Sequence, residues 1–246
     1  MFETFGIEVF VGASGTVKNA IAMWKDGKLQ EATDANACRD HRHLFDTHTK
    51  EYEEWFDKNK FAYASEVAAL KKAVPEGKGL EIGVGTGRFA EPLKIDVGID
   101  PSENMLKIAE SRAVKTVLGK GEELPFEDNE YDFVLIAFTI CFVDDPDKMI
   151  KEAMRVLKKK GRIIVGIIDK NSKIGKIYQD KKVKSKFYRI ARFYSTEELI
   201  KLLKKYNFKN IRTLQTLFDL PENLNKIDDI KEGYGEGSFV VVYGGK

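Results

Sequence analysis

Apolar positions change their period several times along the chain, and the changes mark out its elements. Residues 6–11 alternate and predict a strand. Gly12-Ala13-Ser14-Gly15 then turns the chain, with Ser14 or Thr16 as the cap of a helix on which Val17, Ala20, Ile21 and Trp24 recur at helical spacing. Asp26-Gly27-Lys28 closes that helix, and a polar tail runs over residues 32–43. From 45 to 74 the pattern is helical again: Tyr52, Trp55, Phe56, Phe61, Tyr63, Val67, Leu70 and Val74 form an apolar stripe, ended by Pro75-Glu76-Gly77.

Beyond Gly79 the apolar runs shorten and read as strands, at 80–82, Val97–Asp100, Lys115–Leu118, 131–138 and 162–168. The run at 131–138 is apolar on both faces, as a central parallel strand must be. Helical segments lie between. Pro92 keeps the first short. Met105, Ile108 and Ala109 form the buried face of the second, capped by Ser102. Asp144-Asp145-Pro146 opens the third, which buries Met149, Ile150, Ala153, Val156 and Leu157. Lys158-Lys159-Lys160 is expected in its last turn, complementing the dipole, with Gly161 as its end. Ser195-Thr196-Glu197-Glu198 is a capping box before Leu199, Leu202, Leu203 and Tyr206. Strands at 210–218 and 238–243 finish the chain. Strands alternating with helices predict an α/β fold around a largely parallel sheet.

The candidate chemistry sits where the first of these strands ends, at Glu81-Ile82-Gly83-Val84-Gly85-Thr86-Gly87-Arg88. Three glycines on alternate positions let a turn tighten and let backbone approach a ligand. Dinucleotide loops use a G-x-G-x-x-G variant, but here the third glycine comes one place early. An acid, Glu81, stands two residues before the first glycine, which suits a cationic ligand better than a pyrophosphate. Asp100 ends the next strand, where α/β nucleotide sites hold ribose hydroxyls, and a carboxylate can accept from both.

With loop and acid together, residues 45–246 resemble the class I S-adenosylmethionine-dependent methyltransferases. The resemblance implies a Rossmann-like doubly wound sheet of seven strands in the order 3-2-1-4-5-7-6, preceded here by an N-terminal β-α extension. It implies S-adenosyl-L-methionine as cofactor, with Glu81, Gly83, Gly85, Gly87 and Asp100 around its methionine and ribose parts. Pro101 and Met105, just after the acid, flank the adenine in this family, with plain core packing as the alternative for Met105. Gly119-Lys120-Gly121-Glu122-Glu123-Leu124-Pro125-Phe126 resembles the family's adenine-binding segment. Its acid is replaced by Lys120, which can only donate, so backbone of Gly121 and Glu122 is left to read the adenine edge, and Leu124-Pro125-Phe126 to wall the ring. Phe138 and Phe142 lie at the end of the central strand, where such sheets place ligands, which makes Phe138 a cofactor-binding candidate and Phe142 a substrate-pocket candidate. Cys141 between them is expected to be a small apolar wall residue rather than a reactive thiol. No general base is picked out.

An N-terminal helix of the family lies over the cofactor, which makes Tyr52 and Tyr63 substrate-pocket candidates, with core docking as the alternative. Residues 170–194 form an insert in which nine lysines and arginines face a single acid, Asp180, and aromatics interleave. It is expected to be a lid carrying Tyr178, Tyr188 and Arg192 to the substrate, or else a solvated amphipathic helix. A small-molecule acceptor is expected; an RNA or protein acceptor that uses the basic insert is the alternative.

Residues 1–43 stand apart from the methyltransferase domain at 44–246. They resemble the C-terminal end of the dinitrogenase iron–molybdenum cofactor-binding family: one strand, one helix and a Cys/His tail. Cys38, His41 and His43 are the metal-ligand candidates, against a solvated linker, and no metal site is assigned because C-x-x-H-x-H does not match a closed zinc site. A non-enzymatic metal or cofactor carrier led by this segment is a further alternative.

Bulk properties alter this picture little. The 246 residues allow one sizeable domain plus an extra segment, and a net charge of +2 gives no global field to steer nucleic acid. Two cysteines far apart, no signal-like start and no apolar run of membrane-spanning length place the expected site of action in the cytoplasm, with no membrane partner.

Overall fold

The computed structural model describes residues 10–11, 16–31, 41–183 and 185–246, leaving aside the side chains of 10, 11, 30, 31 and 41–43. Two compact units divide between Asp40 and His41. In the first, β1 (Phe10–Val11) pairs antiparallel with β2 (Gln30–Glu31), and α1 (Val17–Lys25) connects them. Thr16 caps α1 by accepting from the Asn19 N–H at 3.3 Å, and Gly27 leaves it at φ +65°. Ser14, the other cap candidate, is outside the described residues, as is Cys38. No residue of α1 is buried, and Val17 and Ile21 on its apolar stripe are exposed.

The second unit opens with three helices where a single stripe was expected: α2 (His41–Thr47), α3 (Thr49–Lys58) and α4 (Lys60–Ala73). Asn59 separates the last two by leaving helical geometry, and both its backbone and its side-chain N–H groups bond the Trp55 carbonyl at 2.9 Å. Strands and helices then alternate. They are β3 (Gly79–Ile82), α5 (Ala90–Leu93), β4 (Val97–Asp100), α6 (Glu103–Ser111), β5 (Lys115–Leu118) and β6 (Tyr131–Ala137). Next come α7 (Pro146–Val156), β7 (Leu157–Ile168), α8 (Lys173–Asp180), α9 (Thr196–Lys205), β8 (Lys209–Thr216), β9 (Lys231–Glu232) and β10 (Phe239–Gly245).

The sheet order is β5-β4-β3-β6-β7-β10-β8-β9. The first five strands are parallel, and β10 and β9 pair antiparallel with their neighbours. This is the 3-2-1-4-5-7-6 order of the resemblance with one short strand, β9, added at the edge. β6 lies in the middle and shows why. Phe133 and Leu135 enter the core on one face, with Phe56 and Leu70 of α3 and α4. Val134 and Ile136 enter the core on the other, with Met149 of α7 and Leu199 of α9. A strand whose side chains alternate between two apolar layers has to sit inside the sheet.

Local capping follows the sequence. Ser102 accepts from the Met105 N–H at 3.2 Å, Asp145 from Lys148 at 2.9 Å, and Ser195 and Glu198 form the reciprocal box. One expectation fails. The lysines 158–160 are not the last turn of α7, and Gly161 does not end it. The helix stops at Val156, and the lysines open β7, where the Lys158 ammonium bonds Asp132 at 2.8 Å. Leu157 is extended and fully buried opposite Tyr131, so burial on the sheet outweighs the small gain from lysines at a helix end.

Leu135→Ala, in the middle of β6, should cost about 3 kcal/mol as a buried cavity forms, and Ser195→Ala about 1 kcal/mol through loss of its cap. The denaturant midpoints of the two variants check that ranking.

Candidate active site

β3 and β4 run side by side and end together, so Glu81 and Asp100 come to the same edge of the sheet. Between them the chain turns as the Gly83 and Val84 N–H groups donate to the Ile99 carbonyl at 2.8 and 3.1 Å. Gly83 and Gly85 take φ +73° and +51°, values that L side chains rarely adopt. A Cβ on Gly83 would also lie 2.2 Å from Thr139, so the turn is held close against the end of β6.

Asp100 accepts from the Gly85 N–H through one oxygen and from the Ser102 N–H through the other, both at 2.9 Å. Burial nevertheless pushes its carboxyl up to about 6. Glu81 is 1% exposed and one of its oxygens, Oε2, has no partner. Burial, and then the Asp100 charge, push it well above the ordinary carboxylate range. Both acids lean toward their neutral forms, and a positive charge beside them would favour both carboxylates.

The remaining predicted cofactor residues divide. Pro101 is half-buried beside Asp100, and Met105 and Leu124 are buried. Gly121 passes so near β3 that a Cβ would sit 2.6 Å from Ile82. Glu122 turns to the loop before α7, where its carboxylate accepts from the Asp144 N–H at 3.0 Å. Phe126 packs on Tyr131, with ring centroids 5.3 Å apart, while Pro125 is exposed. Gly87 takes φ +81° under α6, its Cβ position 3.2 Å from Ala109.

Glu53, which the sequence analysis passed over, anchors this turn. Its carboxylate takes Thr86 Oγ1 at 2.5 Å, Arg112 Nη2 at 2.5 Å and Arg88 Nη2 at 2.7 Å. Burial opposes its charge, but the Arg112 and Arg88 hydrogen bonds outweigh that and hold it below the ordinary range. Helix α3 is thereby fixed over the glycine turn. Tyr52 hangs from it with its hydroxyl 3.5 Å from the Cβ position of Gly85.

Next to Tyr52 opens a cavity of about 200 Å³. Its wall is aromatic: α3 gives Tyr52, Trp55 and Phe56, and the segment after α8 gives Phe187 and Tyr188. Tyr178 and Tyr188 stack at 4.3 Å. Phe138 and Phe142 join from the end of β6, Phe138 at φ +62°. Cys141 lines the cavity too, and burial pushes its thiol up to about 12, far from a reactive thiolate. Of the predicted substrate residues, Tyr52, Phe142, Tyr178 and Tyr188 thus come together. Tyr63 and Arg192 do not. Tyr63 packs on Phe56 and Phe89 and donates its hydroxyl to the Arg88 carbonyl. Arg192 is exposed and lies over the Tyr194 ring at 4.9 Å.

A second acid missed from the sequence, Glu66 of α4, is also part of the lining. Its position between Tyr63 and Leu70, at helical spacing on the apolar stripe, was the available signal. The basic insert is less free than its composition suggested. Lys170 pairs with Glu198 at 2.6 Å, Lys173 with Asp219 at 3.1 Å and Lys186 with Glu51 at 2.9 Å, all acids from elsewhere in the fold. The side chains of His41 and His43 are outside the described residues, among which no metal-binding group of three or more His, Cys, Asp or Glu occurs. Among the described residues no helix is long and apolar enough to cross a membrane.

Comparison with known proteins bears on the second unit. A methyltransferase domain family matches residues 80–165. An uncharacterized protein of Methanocaldococcus jannaschii is 53% identical over 81% of this chain and 97% of its own length. The crystal structure of a SAM-dependent methyltransferase of Thermotoga maritima, a possible histamine N-methyltransferase, superposes with a TM-score of 0.82 at 52% identity, covering 84% of this chain and 99% of that one. A demethylmenaquinone methyltransferase of the same organism is 35% identical over 46% of this chain and 53% of its own.

Glu53→Gln should lower the unfolding free energy by about 3 kcal/mol, because two half-buried arginines lose their counter-charge. Glu54→Gln on the exposed side of α3 should stay within about 0.5 kcal/mol of the parent in the same urea titration.

Proposed function

The chain belongs to the S-adenosylmethionine-dependent methyltransferases, and we propose that its methyl acceptor is a small, largely apolar molecule taken up in the aromatic cavity. The observation that carries this reading is the aromatic cavity itself, joined to the glycine turn through Tyr52. Pockets of this kind, apolar with few polar groups, suit small ligands. The names of the Thermotoga relatives, a possible histamine N-methyltransferase and a demethylmenaquinone methyltransferase, both point to small acceptors. An extended polyanion such as RNA would need free cationic side chains, and three of the insert's nine lysines and arginines are already paired with carboxylates. Residues 1–43 remain, in this proposal, an appended fragment with no part in the transfer.

The crevice fits the cofactor on its own chemistry. S-adenosylmethionine supplies, when bound, a methyl group activated on a positively charged sulfonium. Asp100 would accept from the ribose hydroxyls while the Gly85 and Ser102 N–H groups hold it in place. Gly83 and Gly85 would let backbone reach the methionine portion. The unpartnered oxygen of Glu81 is aligned with the need to hold positive charge. The cavity walls then do the remaining work, orienting the acceptor and excluding water from it, which is how such a displacement is accelerated.

Two effects of pH follow with opposite sign. Asp100 rises from 3.8 to about 6 on folding, so its contribution to the stability of the protein alone is present below pH 3.8 and lost as pH rises through about 6. Ligand binding needs the carboxylate and should weaken on acidification. Calorimetric affinity for S-adenosylhomocysteine should fall by about tenfold between pH 7.5 and 5. Asp100→Asn should bind weakly at both values. An affinity that is flat with pH in the parent would exclude this role for Asp100.

A labelled-methyl transfer screen against small amines, phenols and quinols, with RNA and protein as comparison acceptors, tests the acceptor class. Transfer to macromolecules alone would overturn the small-acceptor reading. Labelled product from at least one small molecule is the expected result.

A further inference from the structure

The aromatic cavity contains one acid whose role the methyltransferase fold does not explain. Glu66 is 1% exposed, its Oε2 has no hydrogen-bond partner, and it lines the cavity. The other carboxylate on the wall, Glu51, is already answered by Lys186 at 2.9 Å and by His48 at 3.2 Å. No arginine or lysine pairs with Glu66 among the described residues. A buried carboxyl with an unpartnered oxygen costs stability, and an apolar residue at that position would fill the same helix face without that penalty. Burial alone pushes its pKa well above the ordinary carboxylate range. Its charge would act on Tyr52, Tyr178 and Tyr188, which stand on three different segments around it.

The surroundings select what could satisfy this acid. Aromatic faces attract cations, and a cation that enters this aromatic-walled cavity meets both those faces and the buried carboxylate. We propose that the acceptor is an organic amine with an apolar body, and that Glu66 is the group that receives its nitrogen. The inference rests on the reading of this cavity as the acceptor pocket. An amine enters from water mostly as ammonium, and its charge stabilises the Glu66 carboxylate. Before it can accept a methyl group the nitrogen must lose a proton. In that step an N–H bond breaks, the N–H electron pair stays on nitrogen as the lone pair, and the proton forms an O–H bond on Glu66. A carboxyl that prefers its neutral form in this cavity takes that proton more readily than an exposed one. Tyr178 and Tyr188 stack beside it and contribute ring faces rather than bases, since burial raises both phenols above their ordinary range.

A neutral carboxylic acid could instead donate to the oxygen of an uncharged acceptor. The two cases separate with a matched pair of probes, 2-phenylethylamine and 2-phenylethanol, titrated calorimetrically into the full chain saturated with S-adenosylhomocysteine. The amine should bind about tenfold or more tightly than the alcohol, as a charge-assisted hydrogen bond requires. Glu66→Gln keeps hydrogen bonding but not charge, and should reduce that ratio to about twofold or less while leaving the alcohol's affinity within about twofold. The thermal midpoint of the variant, unchanged or raised, shows that it folds; should it not fold, the parent's amine-to-alcohol ratio still decides. If the alcohol binds as well as the amine, or Glu66→Gln keeps the preference, the assignment of an amine to Glu66 is overturned and the acceptor pocket stands. If neither probe binds while S-adenosylhomocysteine does, the pocket reading fails and takes this inference with it.

Discussion

Glu53 gathers Thr86, Arg88 and Arg112 around a single carboxylate, and in doing so joins three pieces of chain that are remote in sequence: helix α3, the glycine turn and the end of α6. Apolar packing alone would hold α3 against the sheet but would leave its rotation and height loosely set. Short charge-assisted hydrogen bonds in fixed fork geometry set both. Because Tyr52, Trp55 and Phe56 belong to the same helix, the interaction that shapes the ligand turn also places one wall of the cavity. The crevice proposed for the methyl donor and the cavity proposed for the acceptor therefore share one mechanical reference.

The parts of this arrangement that local rules govern could be read from the sequence. The caps near 102, 145 and 195 depend on neighbours within a few residues, the glycines at 83, 85 and 87 and the acids at 81 and 100 stand out as a motif, and the chain order of strands carried the sheet topology by resemblance. The parts governed by distant partners could not. Glu53 and Glu66 look like ordinary helical acids until the fold brings arginines to one and none to the other. The lysines at 158–160 illustrate the reverse error, where a good local rule for helix ends lost to burial of Leu157. For Tyr63 an aromatic on the helical stripe fits either the pocket or core docking, and the side of the helix it faces decides for the second, making it a strut between Phe89 and the Arg88 carbonyl. For Glu66 the spacing on an apolar stripe hints at burial, but its lack of a counter-charge shows only in the fold.

Glu81, Asp100 and Glu66 together make this region a place where the protein holds acidic groups away from water against their preference. Natural chains accept such penalties where a ligand relieves them. Replacing Glu81 or Glu66 by an apolar residue of similar size would remove that penalty, together with a group proposed to meet a ligand. Stability and activity are thus set against each other on β3, β4 and α4, while the alternating layers around β6 supply the surplus that makes the conflict tolerable.

The sheet ends on one side in β5, four residues that begin with exposed Lys115, and on the other in β9, two exposed residues, Lys231 and Glu232. Short margins bearing charge offer another chain almost no ladder to extend. Strand addition at either margin of this sheet is therefore disfavoured, and a chain that did add there would gain only a few ladder bonds.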